Sequence, residues 1–214
     1  MESARAYLVG ELNVSRETLA DLEAFAKDLL AWDKKINLIA KGTRSEVWSR
    51  HILDSAQVFP LLTEDDKKIV DIGSGGGFPG CVLAILAKRR FPEQKYVFIE
   101  SDQRKAAFLR MIAIRMNLNV EVIAARIEQA EPQQADVMTA RALAPLSELL
   151  SFAQRHLAEN GRAVFLKGEN ARKEVEEARE SWDFSCEQVQ SLTNDAARLL
   201  TVRNIRRERP HPTE

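Results

Sequence analysis

Cysteine occurs only twice in this chain of 214 residues, at Cys81 and Cys186, and in no CxxC spacing. That argues against a disulfide framework and against a thiolate zinc site, and both thiols read as small packing residues. Histidine is nearly as scarce. His51, His156 and His211 are too scattered to propose a metal site, so no metal is expected. No segment approaches the roughly 18 uninterrupted apolar residues of a membrane span, and Met1-Glu2-Ser3-Ala4-Arg5 lacks a signal peptide's apolar region. A cytoplasmic protein without a membrane partner is expected. Charge of one sign is also missing, since the formal net charge is -1. Any contact with nucleic acid must come from local clusters of lysine and arginine.

What the chain does have is glycine in one place. Five of its nine glycines fall within residues 73–80, in Val70-Asp71-Ile72-Gly73-Ser74-Gly75-Gly76-Gly77-Phe78-Pro79-Gly80. A short apolar strand leads in, and the helical pattern Cys81-Val82-Leu83-Ala84-Ile85-Leu86-Ala87 leads out. Strand, glycine loop and helix in that order make a cradle for a small molecule, because glycine turns the main chain tightly and lets it approach a ligand.

Around this cradle the periodicity changes. Leu19, Leu22, Phe25, Ala26, Leu29 and Leu30 recur at helical spacing after Ser15, a natural N-cap. A second helix is predicted from Ser45-Glu46 to Pro60, so residues 1–64 read as a helical cap. Residues 65–214 then alternate. Strands are predicted at 69–72, 95–100, 119–124, 135–139, 161–167, 183–191 and 198–206, with helices near 79–90, 103–116, 145–158 and 169–180. That alternation predicts an α/β, Rossmann-like, seven-stranded and mostly parallel sheet. Only residues 192–197 separate the last two strands, too few for a crossover helix, so a hairpin with one antiparallel strand should end the sheet.

Three ligand classes compete for the loop. A P-loop needs Gly-Lys-Ser/Thr, and Gly77 is followed by Phe78-Pro79. A dinucleotide loop of the GxGxxG type matches from Gly75, Gly77 and Gly80, but that pattern alone is weak. Asp71, just before the loop, would repel a pyrophosphate and favour a cation. Glu100 ends the second strand, where an acid accepts hydrogen bonds from ribose hydroxyls. Together with Gly73, Gly75 and Gly77, these acids indicate S-adenosylmethionine, a cationic nucleoside without phosphates. The class I S-adenosylmethionine-dependent methyltransferase fold follows, with the helical cap as an N-terminal extension. An NAD-dependent oxidoreductase and a non-catalytic RNA-binding module on the same fold are the rivals.

The match is closer than a fold. Asn37-Leu38, Arg50-His51-Ile52-Leu53-Asp54-Ser55, the run Asp71 to Gly75 with Gly77-Phe78-Pro79-Gly80, Arg126-Ile127-Glu128, Arg141-Ala142 and Leu166-Lys167-Gly168 resemble the bacterial RsmG family. This family, also called glucose-inhibited division protein B, comprises the ribosomal RNA small-subunit methyltransferases G. The resemblance implies methyl transfer from S-adenosylmethionine, giving S-adenosylhomocysteine, to N7 of a guanine in the 530 loop of 16S ribosomal RNA, with the small ribosomal subunit as partner. It also implies cofactor contacts at Gly73, Phe78, Ile127, Glu128 and Arg141. Position 76 is glycine where relatives often carry another small residue or proline, which predicts a more flexible loop.

Guanine N7 carries a lone pair in the ring plane, so no proton need be removed and a general base is dispensable. Positioning then dominates. Arg141, at the end of the fourth strand, is the expected catalytic positioning residue, holding the cofactor or guanine O6; an ion pair with Glu128 or Asp136 is the competing reading. Lys35, Arg50, Lys167, Arg206 and Arg207 are the candidate RNA contacts, drawn from clusters that also include Lys34, Lys41, Arg44, Arg203 and Arg209. His51 and Asp54, one turn apart, are also placed to pair with each other. The Glu/Lys/Arg mixture of helix 169–180 reads as a solvated face.

Overall fold

A computed structural model describes residues 2–208, so Arg209 and His211 lie outside the described residues. The chain begins with two helices, α1 (Glu2–Gly10) and α2 (Arg16–Ile36). Ser15 caps α2 by accepting from the Thr18 N–H, Lys34 and Lys35 sit in its last turn, and Asn37 ends it in the left-handed region at φ 51°. Those choices satisfy the helix ends and complement its dipole. No helix was predicted over residues 2–10; Leu8 is fully buried there and ties α1 into the core.

The second predicted helix is not a regular one. A 3₁₀ turn (Lys41–Glu46) passes into a π-helical stretch (Val47–Leu53), a single α turn, α3 (Asp54–Ala56), and another 3₁₀ turn (Phe59–Leu61). Two side chains explain the break. The Arg50 carbonyl accepts from Arg141, and the His51 carbonyl accepts from the Ser55 hydroxyl at 2.7 Å. Side-chain donors entering the carbonyl ladder widen the turn, and such bulges favour functional segments.

The alternating part contains β1 (Lys68–Ile72), α4 (Gly80–Arg90), β2 (Lys95–Ile99), α5 (Gln103–Arg115), β3 (Val120–Ile123), β4 (Ala135–Arg141), α6 (Leu146–His156), β5 (Leu157–Lys167), α7 (Ala171–Ala178), β6 (Trp182–Gln190) and β7 (Arg198–Arg207). The seven strands form one sheet in the order β3-β2-β1-β4-β5-β7-β6. β7 is the antiparallel strand, running against both β5 and β6. It lies inside the edge rather than at it, because the hairpin inserts β7 beside β5 and leaves β6 outermost. The strand order reverses between β1 and β4, and their carboxyl ends open the crevice where such sheets bind ligands.

Two apolar layers cover the sheet. One joins Leu22, Phe25 and Leu29 of α2 to Leu83 of α4 and Phe108 of α5, so the cap and one sheet face share a continuous core. The other packs Leu149 and Leu150 of α6 and Val175 of α7 against the opposite face. A charged clamp fixes the cap's exit. Arg162 of β5 donates to both Asp66 oxygens at 2.7 Å and to the Leu61 carbonyl, with both side chains close to fully buried. Burial alone would raise the Asp66 pKa, but the bonds from Arg162 and the Thr63 N–H hold it below the usual range. Its stabilisation is therefore complete above pH 3.8 and is lost as pH falls through the lowered folded value. Asp66→Ala strands the guanidinium and should cost about 3 kcal/mol in denaturant unfolding monitored by circular dichroism. A cost below ~1 kcal/mol would show the clamp to be incidental.

Candidate active site

Gly73, Gly75 and Gly77 all adopt positive φ, at 62°, 52° and 89°, which lets the chain fold back at the β1 tip. The loop is then pinned from the β2 side. Gly73 N–H donates to the Ile99 carbonyl at 2.8 Å, and Gly75 N–H donates to Glu100 Oε2 at 2.8 Å. The other Glu100 oxygen accepts from Asp102 N–H at 2.7 Å. Glu100 is thus buried and engaged in shaping the loop, and it does not line the cavity described below. It braces the loop at the start of α5, with one bond on each oxygen.

Gly76 serves a close approach rather than flexibility. A Cβ there would lie 3.0 Å from the Leu38 carbonyl oxygen, so the cap rests on the loop. Asp33 shapes that contact. Fully buried at the end of α2, it accepts from Leu38 N–H and Ile39 N–H at 2.7 and 2.9 Å and pairs with Arg44.

Asp71 stands beneath the loop. It is fully buried, accepts at Oδ1 from the Thr139 hydroxyl at 2.7 Å, and has no partner at Oδ2 among the described residues. That oxygen sits beneath the start of α4, 2.8 Å from where a Gly80 Cβ would stand. Burial pushes its pKa up to about 6, against the pull of the Thr139 and Ser74 hydroxyls, the Gly80 N–H and the Arg141 charge. An unpartnered buried carboxylate under a glycine loop acts on a ligand through its field and not by contact.

Over the loop, β4 delivers Arg141. Its Nη1 donates to the Arg50 carbonyl at 2.9 Å and to Asp54 Oδ2 at 3.3 Å; its Nη2 donates to His51 Nδ1 at 2.9 Å. Its guanidinium lies 4.9 Å above the Phe78 ring, and His51 stacks on the same ring at 5.0 Å. Arginine only donates, so His51 Nδ1 accepts and Nε2–H donates to Thr43 Oγ1 at 2.8 Å. Burial and the neighbouring Arg141 push the His51 pKa down to about 4, which keeps it the neutral acceptor that Arg141 requires. Arg141 therefore pairs with Asp54, not with Glu128 or Asp136, and His51 and Asp54 meet through it rather than directly.

These elements enclose a cavity of about 870 Å³, ample for a nucleoside and a base. Of the residues singled out from sequence, Gly73, Gly75, Phe78, Arg50, Arg141 and Lys167 line it. Gly77 does not; it packs against Cys81 behind the loop. Ile127 and Glu128 lie in the 3₁₀ turn after β3 and outside the cavity lining, Ile127 buried and Glu128 exposed. Lys35 is exposed at the end of α2, also outside the lining. Arg206 and Arg207 are exposed and stand apart from the cavity. β7 runs away from the cavity, starting there at Arg198, and the strand rise puts these two roughly 25 Å farther along.

Lys167 is no free cation either. Its side chain is 10% exposed, and its ammonium donates to the Ala144 carbonyl at 2.8 Å and pairs with Glu174 at 2.6 Å. The sequence reading passed over Glu174, Gln57, Lys105 and Arg198, all of which reach the cavity. Helical spacing gives one signal for Glu174, since Ala171, Val175 and Ala178 mark the buried side of α7.

The geometry invites comparison with known proteins. The family model GidB, described as rRNA small subunit methyltransferase G, matches residues 18–202. A ribosomal RNA small subunit methyltransferase G of Ruegeria sp. (strain TM1040) is 48% identical over 197 residues, 92% of this chain and 96% of that protein. One of the same name from Paramagnetospirillum magneticum (strain ATCC 700264 / AMB-1) is 45% identical, covering 96% of this chain and 98% of its own. Among solved structures, a SAM dependent methyltransferase from Aquifex aeolicus superimposes with a TM-score of 0.53 at 14% identity, over 70% of this chain and 88% of that one. The fold is therefore the class I S-adenosylmethionine-dependent methyltransferase fold, and by sequence the chain belongs to the GidB family of rRNA small subunit methyltransferases G.

Proposed function

We propose that this enzyme transfers the methyl group of S-adenosylmethionine to N7 of a guanine in the 530 loop of 16S ribosomal RNA, acting on the small subunit or its precursor in the cytoplasm. The observation that carries the reading is the cavity itself. It is walled by the glycine loop on one side and by Arg141, Lys167 and Glu174 on the other. Its histidine is neutral, but both ring nitrogens are taken. That suits an acceptor atom that needs no deprotonation.

The residues fit the cofactor. Turned main chain at Gly73 and Gly75 gives a nucleoside close access, and the orphaned Asp71 oxygen beneath supplies negative charge toward a sulfonium. When bound, the cofactor supplies an electrophilic methyl carbon. The chain's own work is alignment. Arg141 holds the Arg50–Asp54 segment of the cap against the sheet and presses on Phe78, so the wall facing the loop is fixed before substrate arrives. Of the contacts taken from family resemblance, Ile127 and Glu128 stand at the β3 tip, where the adenine end would extend past the cavity. Lys35 and Arg50 are offered to RNA phosphate. Lys167 acts instead through its pairing with Glu174.

Mapping N7-methylguanosine in ribosomal RNA from cells with and without the gene tests the function; methylation unchanged by deletion would refute it. Replacing Arg141 with alanine should lower kcat/KM by at least ~100-fold, the usual cost of a misplaced reacting group. Wild-type turnover in that variant would remove Arg141 from the mechanism. Charge gives a third expectation. Asp71 is ionised above about 6, so affinity for the cationic S-adenosylmethionine should weaken as pH falls through that value. Affinity for neutral S-adenosylhomocysteine should stay flat. Parallel titration by calorimetry checks this, and equal pH slopes would show that Asp71 exerts no field on the ligand.

A further inference from the structure

We propose that Glu174 reads the Watson–Crick edge of the target guanine, held in its reading position by Lys167. The inference rests on the guanine-N7 reading above and adds the residue that selects the base.

Two carboxylates line the cavity, Asp54 and Glu174. Asp54 is bonded on both oxygens: Oδ1 accepts from Gln57 Nε2 at 2.8 Å and from the Thr193 hydroxyl at 2.7 Å, and Oδ2 accepts from Arg141. Glu174 is engaged on one side alone. Its Oε2 accepts from Leu146 N–H at 2.8 Å and from Lys167 Nζ at 2.6 Å. No bond to Oε1 is seen among the described residues, and the side chain is 20% exposed. A carboxylate offers about four lone-pair sites; on Glu174 two are filled and two, both on Oε1, remain open.

Guanine is the base whose Watson–Crick edge presents two adjacent donors, N1–H and N2–H. Adenine turns an acceptor, N1, to the same place, which a carboxylate repels. Enzymes that act on a base extruded from its stack read that edge by hydrogen bonds. Position agrees with chemistry. N7 lies on the opposite side of the purine from N1 and N2, so a guanine aiming N7 at the glycine loop turns its donors to the far wall. Glu174 belongs to α7, which follows β5, and β5 lies two strands from β1, roughly 10 Å away.

Lys167 makes the arrangement stable. It neutralises the carboxylate without covering Oε1, and its second bond to the Ala144 carbonyl fixes the ammonium. The Leu146 N–H anchors Oε2 at the start of α6, a helix end with no side-chain cap from its own N-cap residue, Pro145.

The test uses reconstituted small-subunit particles carrying guanosine or inosine at the target nucleotide, with the full-length enzyme and S-adenosylmethionine. Inosine keeps N7 and O6 and lacks the N2 amino group. Wild-type enzyme should prefer guanosine in kcat/KM by roughly 10- to 100-fold, the loss expected when a charged acceptor forfeits one donor. Glu174→Gln keeps a carbonyl for Leu146 N–H, so its unfolding midpoint should stay near wild type, but it turns an amide donor toward the base. Its preference for guanosine should fall toward parity. A Glu174→Gln enzyme that keeps the wild-type ratio overturns the proposal, because a merely structural role for Glu174 would lower both rates together. Failure of the underlying reading looks different: wild-type enzyme would then leave the guanosine particle itself unmethylated at N7.

Discussion

The Arg141 guanidinium is the constraint on which the site depends. It ends β4 at the point where strand order reverses, and it spends its donors on the Arg50 carbonyl, His51 and Asp54, all in one segment of the cap. That one planar group ties sheet to cap directly over the site, with Phe78 of the glycine loop packed beneath it. A lysine would supply charge without the fork that reaches three acceptors. The π-helical turn follows from the same contact, since a regular helix would keep the Arg50 carbonyl for its own ladder. Local irregularity in the cap is thus a consequence of joining it to the sheet.

Much of this was legible in the sequence because it is local. Glycines at 73, 75 and 77 specify a turn with positive φ whatever the rest of the chain does, and the change from helical to alternating periodicity after residue 64 marks where the sheet begins. The Ser15 cap was legible for the same reason. What escaped was long-range. Glu100 and Asp71 occupy the positions where acids meet a cofactor, and spacing did not reveal that Glu100 also accepts from two backbone N–H groups or that Asp71 is buried below the loop. Spacing fixes where a side chain starts, and packing decides which way it faces.

Lys167, Glu174, Arg206 and Arg207 make the same point about charge. Arg206 and Arg207 read as a basic cluster, but β7 runs antiparallel and carries them toward the far end of the sheet while bringing Arg198 to the cavity. Glu174 sat in a Glu/Lys/Arg mixture that has the look of a solvated face. Only the placement of α7 after β5 turns one of its acids inward, against a lysine seven residues earlier in the chain. Direction of a strand and rotation of a helix are tertiary facts, and a single charged residue carries no trace of them.

A chain with a net charge of -1 must still receive a polyanion. The cavity resolves this by distribution. Its lining holds five cations, Arg50, Lys105, Arg141, Lys167 and Arg198, against two carboxylates, and its histidine is neutral. Each carboxylate is already bonded to one of those cations, and Arg50 pairs with Glu46, so the positive charge left at the mouth comes from Lys105 and Arg198. Outer charges of this kind attract backbone phosphate at long range and without regard to sequence. Deeper in, Arg141 and Lys167 are saturated by protein partners and have little left to attract phosphate nonspecifically. Attraction is thereby kept at the rim and discrimination in the interior, where an open acceptor such as Glu174 Oε1 responds to the donor pattern of the base.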